Sequence, residues 1–243
     1  MRIITAVLLS LSLIGPAAAA TVEDDVNRYI AIFNGDKSQH AEAGESLGWM
    51  GLSDPRLFDL LERRALEDYQ AARTDRRERT RVAWYVRALG FSGQPKYLPT
   101  LAILQKDQSY SNYSRTAQEQ RPFYQAANPV ISNRATFDPQ YTDEVNRVRN
   151  MLNAKDPQVW KLGAKRVYFQ NKDTVLLDLL AEKIKATYRT RYASFEDVDV
   201  VDWMVKALGH ARQEKYKPLL QEVATNAEDP RVRDYANRAL GQR

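Results

Sequence analysis

The 243-residue chain has no cysteine and only two histidines, His40 and His210. Without cysteine there is no disulfide framework and no attachment point for a lipid anchor of the bacterial lipoprotein type. The two histidines lie far apart and lack zinc-hydrolase spacing, so neither a metal nor any other cofactor is expected, and both are read as packing or surface residues. Glycine-rich phosphate loops, nucleophile elbows and serine-lysine signatures are also missing, which leaves no catalytic residue to nominate. Alternation of apolar and polar residues at period two is nearly absent, which removes the usual signal of a sheet. Charge of one sign is scarce too: 36 basic residues face 31 acidic ones for a net charge of +5, interspersed as in Asp75-Arg76-Arg77-Glu78-Arg79. No continuous basic stripe offers itself to a phosphate backbone, so nucleic acid is not an expected partner.

Long apolar runs are confined to the start of the chain. Arg2 precedes an apolar stretch from Ile3 to Ile14, a Gly15-Pro16 break and the run Ala17 to Ala20. This is the pattern of a secretory signal peptide over residues 1–20, cut before Thr21. As a helix the apolar stretch would rise only about 18 Å, too little for a hydrocarbon core of about 30 Å, so no membrane span is expected after cleavage. Cysteine-free export of a chain this long points to a bacterial periplasm. Without Arg2 the 36 basic residues become 35 against 31 acidic, a net charge of +4.

What remains reads as helix. Asp54-Pro55, Asp138-Pro139, Asp156-Pro157 and Asp229-Pro230 combine an N-cap acceptor with a first-turn proline, and Asp75 with Glu78 resembles a capping box. The pairs Leu47-Gly48, Leu89-Gly90, Leu208-Gly209 and Leu240-Gly241 read as helix stops. Between them, apolar residues recur at helical spacing, as in Leu57, Leu61 and Ala65 or Leu176, Leu180 and Ile184. Twelve helices are expected, near residues 22–34, 38–50, 55–72, 76–89, 95–106, 111–121, 140–153, 157–169, 174–187, 197–208, 215–226 and 230–240. Short connections should pack successive helices as antiparallel hairpins.

The chain also echoes itself. Trp84 to Leu101 aligns without a gap to Trp203 to Leu220, with ten identities in eighteen positions at an offset of 119 residues. The leucine-glycine landmarks fit a period of about 40 residues with two helices per period. Asp229-Pro230-Arg231-Val232-Arg233 through Ala239-Leu240-Gly241 is similar to part of a HEAT-type repeat, and Asp156-Pro157-Gln158-Val159 begins in the same way. The resemblance covers roughly residues 38 to 241. It implies an all-α chain of one domain over residues 21–243, an α-α superhelix or solenoid of antiparallel hairpins, with a binding groove along the second helix of each hairpin.

The segment from Glu119 to Tyr141 departs most from the repeat. Its three prolines, Pro122, Pro129 and Pro139, are expected to break or shorten the helix there. Arg121, Phe123, Tyr124 and Arg134 give it the aromatic-plus-arginine character enriched in interfaces. Arg63, Arg64, Arg149, Lys183 and Lys215 are helix cations that would suit an acidic partner. The acidic cluster Glu196, Asp197, Asp199 and Asp202 lacks calcium-loop spacing and is read as favoured by the start of a helix. Trp84 and Trp203, with Tyr97 and Tyr216, are read as inter-helix packing. Together these features point to an exported, non-enzymatic adaptor or scaffold that binds a protein or peptide. The alternative is an envelope enzyme or enzyme subunit acting on a polymer such as peptidoglycan or polysaccharide.

Overall fold

The computed structural model describes residues 21–241, so the proposed signal peptide lies outside the described residues. These residues are all-α, with twelve α-helices, six 3-10 turns and no strand. In chain order the helices are α1 (Val22–Asn34), α2 (His40–Ser46), α3 (Pro55–Asp68), α4 (Arg76–Phe91), α5 (Leu98–Gln105) and α6 (Ser111–Ile131). Then follow α7 (Asp143–Leu152), α8 (Pro157–Phe169), α9 (Thr174–Thr187), α10 (Phe195–His210), α11 (Lys217–Asn226) and α12 (Pro230–Ala239).

Local chemistry accounts for most starts. Asp54, Asp156 and Asp229 each occupy an N-cap before a first-turn proline and accept a hydrogen bond from the amide two residues on. Asp75 accepts from the amides of Arg77 and Glu78. Asp138-Pro139 is the exception: Asp138 stabilises a turn by accepting from the Gln140 amide, and α7 begins later, capped by Thr142.

Consecutive helices pack as pairs, α3 with α4, α5 with α6, α7 with α8, α9 with α10 and α11 with α12. The second members also pack in rows, α2 on α4 on α6 and α8 on α10 on α12. Small residues make these rows close. A side chain added at Gly90 would meet the Ala117 backbone at 2.6 Å, one at Gly44 would meet Trp84 at 2.8 Å, and one at Gly209 would overlap Ala239. Gly90 and Gly209 are therefore not helix stops as their sequence context suggested; α4 and α10 run one residue past them. The chain reverses three residues later, at Gly93 with φ 72° and Arg212 with φ 53°, positions that align in the two copies. Leu240-Gly241 does end a helix, with Gly241 at φ 73°.

The rows are interrupted between α6 and α8. α6 continues through Pro122 and Pro129 to Ile131, contrary to the expected break. Both prolines lie on its exposed face, where water can reach the carbonyls they leave unpaired. Tyr124, Ala127, Asn128 and Ile131 form the buried face. Asn128 Nδ2 donates to the carbonyls of Leu52 and Phe91, at 3.1 and 2.8 Å, which ties the end of α6 to the connection before α3 and to the end of α4. The irregular stretch is thus residues 132–142. Its Arg134 reaches Asp25 of α1 at 2.5 Å, and Asp25 also pairs with Arg147 of α7. One apolar core fills α1–α6, a second fills α7–α12, and a small cluster of Ala127, Ile131, Met151, Ala154 and Val159 joins them.

The repeat is a matter of bonding as well as of letters. Tyr97 donates to Asp59 at 2.8 Å and Tyr216 to Asp178 at 2.9 Å; Lys96 and Lys215 pair with the same carboxylates at 2.6 and 2.5 Å. Each latch pins the first helix of one pair to the turn that opens the next.

Candidate functional site

The second helices bury one face and present the other. In α10 the residues Val198, Val201, Val205 and Leu208 are buried, which turns Asp199, Trp203, Lys206 and His210 outward at helical spacing. In α8 the buried Val159, Gly163, Ala164 and Val167 turn Lys161, Lys165 and Tyr168 outward; in α12 the buried Val232 and Ala236 turn Arg231, Tyr235 and Arg238 outward. The close approach at Gly209 brings α12 within reach of α10.

These outward residues meet. Lys206 Nζ lies 4.8 Å from the centre of the Trp203 ring and 4.0 Å from that of Tyr235, sandwiched between rings on neighbouring helices. Lys165 covers Trp203 from the α8 side at 4.9 Å. Tyr168 packs edge-on to Trp203 at 5.8 Å and against His210 at 4.5 Å. Phe169, 67% exposed, ends the row beside Trp203. Burial, and then the neighbouring Lys161, hold the Lys165 ammonium below its ordinary pKa.

The other copy repeats the core of this arrangement. Arg87 lies 4.5 Å from the Trp84 ring centre and 4.8 Å from that of Tyr113, bridging α4 and α6 as Lys206 bridges α10 and α12. Trp84 and Trp203 are both half-buried, so they pack between helices and still form surface. The signal was readable in the alignment, where each tryptophan is followed three residues on by a cation, Arg87 or Lys206.

The residues singled out in sequence do not assemble into one site. Arg121 donates to the Gly93 carbonyl at 3.3 Å and to Gln125 at 3.0 Å, and Phe123 packs against the core. Tyr124 is buried against Phe91, and that burial raises its phenol pKa well above the ordinary value. Arg134 is held by Asp25 and Asp143. Arg63 is exposed on α3, while Arg64 beside it donates to Asn34. Arg149 pairs with Asp138 and lies over Tyr141, Lys183 lies over Trp160 at 4.3 Å, and Lys215 belongs to the Asp178 latch. Four of these five cations, all but Lys215, sit on first helices and not on the second-helix rows.

His40 is fully buried, with Nδ1 2.5 Å from the Tyr85 hydroxyl and its ring against Phe33; burial lowers its pKa. Among the described residues no group of three or more His, Asp or Glu is arranged to hold a metal ion, and no helix is long and apolar enough to cross a membrane. No family model, curated protein or solved structure matches this chain.

Proposed function

We propose that this chain is an exported adaptor built as an α-solenoid of HEAT-like helix pairs, and that it binds a protein or peptide segment along α8, α10 and α12. The observation that carries this reading is the tryptophan-cation-tyrosine sandwich shared by α4/α6 and α10/α12. Aromatic rings and cations held half-exposed in fixed geometry are what interface anchors consist of, since little side-chain entropy remains to be lost on binding. The C-terminal copy is the fuller one, with Tyr168, Phe169 and Lys165 extending the strip. Its two lysines suit an acidic group on the bound segment.

Export to a periplasm is part of the proposal. The pattern of residues 1–20 supports it, and so does Thr21, which caps α1 and whose backbone nitrogen lies 2.7 Å from Asp24 Oδ2. A new α-ammonium at that nitrogen would meet a carboxylate.

A photo-crosslinking residue placed at Tyr168 or Lys206 in envelope extracts is expected to trap a discrete partner band that the same residue at Arg63 does not. Equal labelling from all three positions, or none from the strip, would overturn the adaptor reading.

A further inference from the structure

The acidic residues of α10 divide into two kinds. Glu196 and Asp197 lie in the first turn, and Asp197 shares the Ser194 cap, so the helix start accounts for them. Asp202 lies two turns further in. It is 6% exposed, and its Oδ1 is buried without a hydrogen-bond partner among the described residues. Its counterpart in the other copy is Ala83, equally buried at 5%. Packing of a second helix therefore does not call for a carboxylate here, and an unpartnered buried one is costly.

Asp202 lines a cleft of about 540 Å³ between α10 and α12, together with Phe195, Asp199, Asp234 and Tyr235. Phe195 is 81% exposed. The cleft's two arginines are already engaged. Arg231 forms two bonds to Asp229, at 3.1 and 2.8 Å, and stacks on Phe195, while Arg238 pairs with Asp234. Asp199 pairs with Lys161 at 3.4 Å. Two carboxylates of the cleft are left without an ionic partner among the described residues, the exposed Glu196 at its rim and the buried Asp202, and Phe195 and Tyr235 line the same cleft.

We propose that this cleft seats a lysine-type alkylammonium of the bound segment, with Asp202 as its buried counter-ion and Phe195 and Tyr235 as its walls. A carboxylate facing an ammonium and rings facing its charge are the two complements such a group requires. That the bearer is a protein segment rests on the adaptor reading; the cleft's preference for an amine does not. Asp202 and Lys206 are one helical turn apart, about 6 Å, which an extended segment covers in about two residues. The bound segment should then carry a basic residue about two positions from an acidic one.

The test is titration of isotope-labelled protein with the capped tripeptide Gly-Lys-Gly and with its norleucine counterpart, followed through backbone amide resonances. The lysine peptide is expected to shift residues of α10 and α12 around Asp202, and norleucine is not. Asp202→Asn should weaken the lysine peptide by about tenfold or more while leaving resonances remote from the cleft in place. Absence of shifts at tens of millimolar, equal binding of norleucine, or undiminished binding by Asp202→Asn would each overturn the proposal. A partner crosslink at Lys206 with no lysine-peptide binding would sink the cleft alone; peptide binding without any crosslink would sink the adaptor reading and leave the amine site standing.

Discussion

A buried carboxylate with no partner sets binding against stability, and at Asp202 the conflict is measurable. Burial pushes its pKa up to about 7; Asp199 and Lys206 on its own helix face it, as do Arg231 and Asp229 at the start of α12. An unfolded aspartate gives up its proton near pH 4, so the folded state binds more protons between about pH 4 and pH 7. Stability is therefore lost as pH rises through that window, with the full penalty present above it. Asp202→Asn is expected to stabilise the protein by roughly 1 to 3 kcal/mol at pH 8 and to change little at pH 4. Urea unfolding at both pH values checks this; equal effects at both, or a loss at pH 8, would mean that the carboxylate is compensated. A residue that weakens the fold but favours a ligand is hard to recognise in one copy of a sequence. It stands out only when aligned with Ala83.

At the scale of elements, what could be read in advance followed local rules. Asp54, Asp156 and Asp229 cap helices because cap and proline act within one turn, and a helix lies near each of the twelve expected places, although α6 runs ten residues past its expected end at 121. The misreadings share a cause, since each depended on what stands across the gap. Gly90 and Gly209 look like stops until Ala117 and Ala239 are seen against them. Pro122 and Pro129 look like breaks until the buried face of α6 is set against Leu52 and Phe91. Arg134 looked like an interface residue for the same reason, because Asp25 lies more than a hundred positions away. Asp25 joins α1, α7 and the 132–142 connection, and Arg147, also buried, has only Asp143 at 3.9 Å as its other acidic partner. Asp25→Ala should leave that guanidinium with only the more distant Asp143 and cost about 3 to 5 kcal/mol, read as a lowered denaturation midpoint. Were the midpoint unmoved, the junction would be held by its apolar cluster alone.

For the whole molecule, the question is whether the helix pairs form one indivisible globule or a stack whose parts communicate through neighbours. The two apolar cores meet across a small cluster, and the strongest helix contacts run between adjacent pairs within each half. In a stack, stability is the sum of what each unit contributes and what each interface adds, so damage in one half need not be shared evenly by the other. Leu208 is 1% exposed in the second core, and Leu208→Ala should cost about 2 to 5 kcal/mol there. The tryptophans supply local reporters, with Trp84 in the first half and Trp203 in the second. In variants that keep only one of them, Leu208→Ala is expected to lower the urea midpoint seen by Trp203 well below that seen by Trp84, splitting the transition in two. Coincident midpoints before and after the substitution would show that the halves unfold as one, and the solenoid would have to be abandoned in favour of a closed helical globule. The binding strip would survive that outcome as a surface, but it would lose its explanation as one row in a repeating stack.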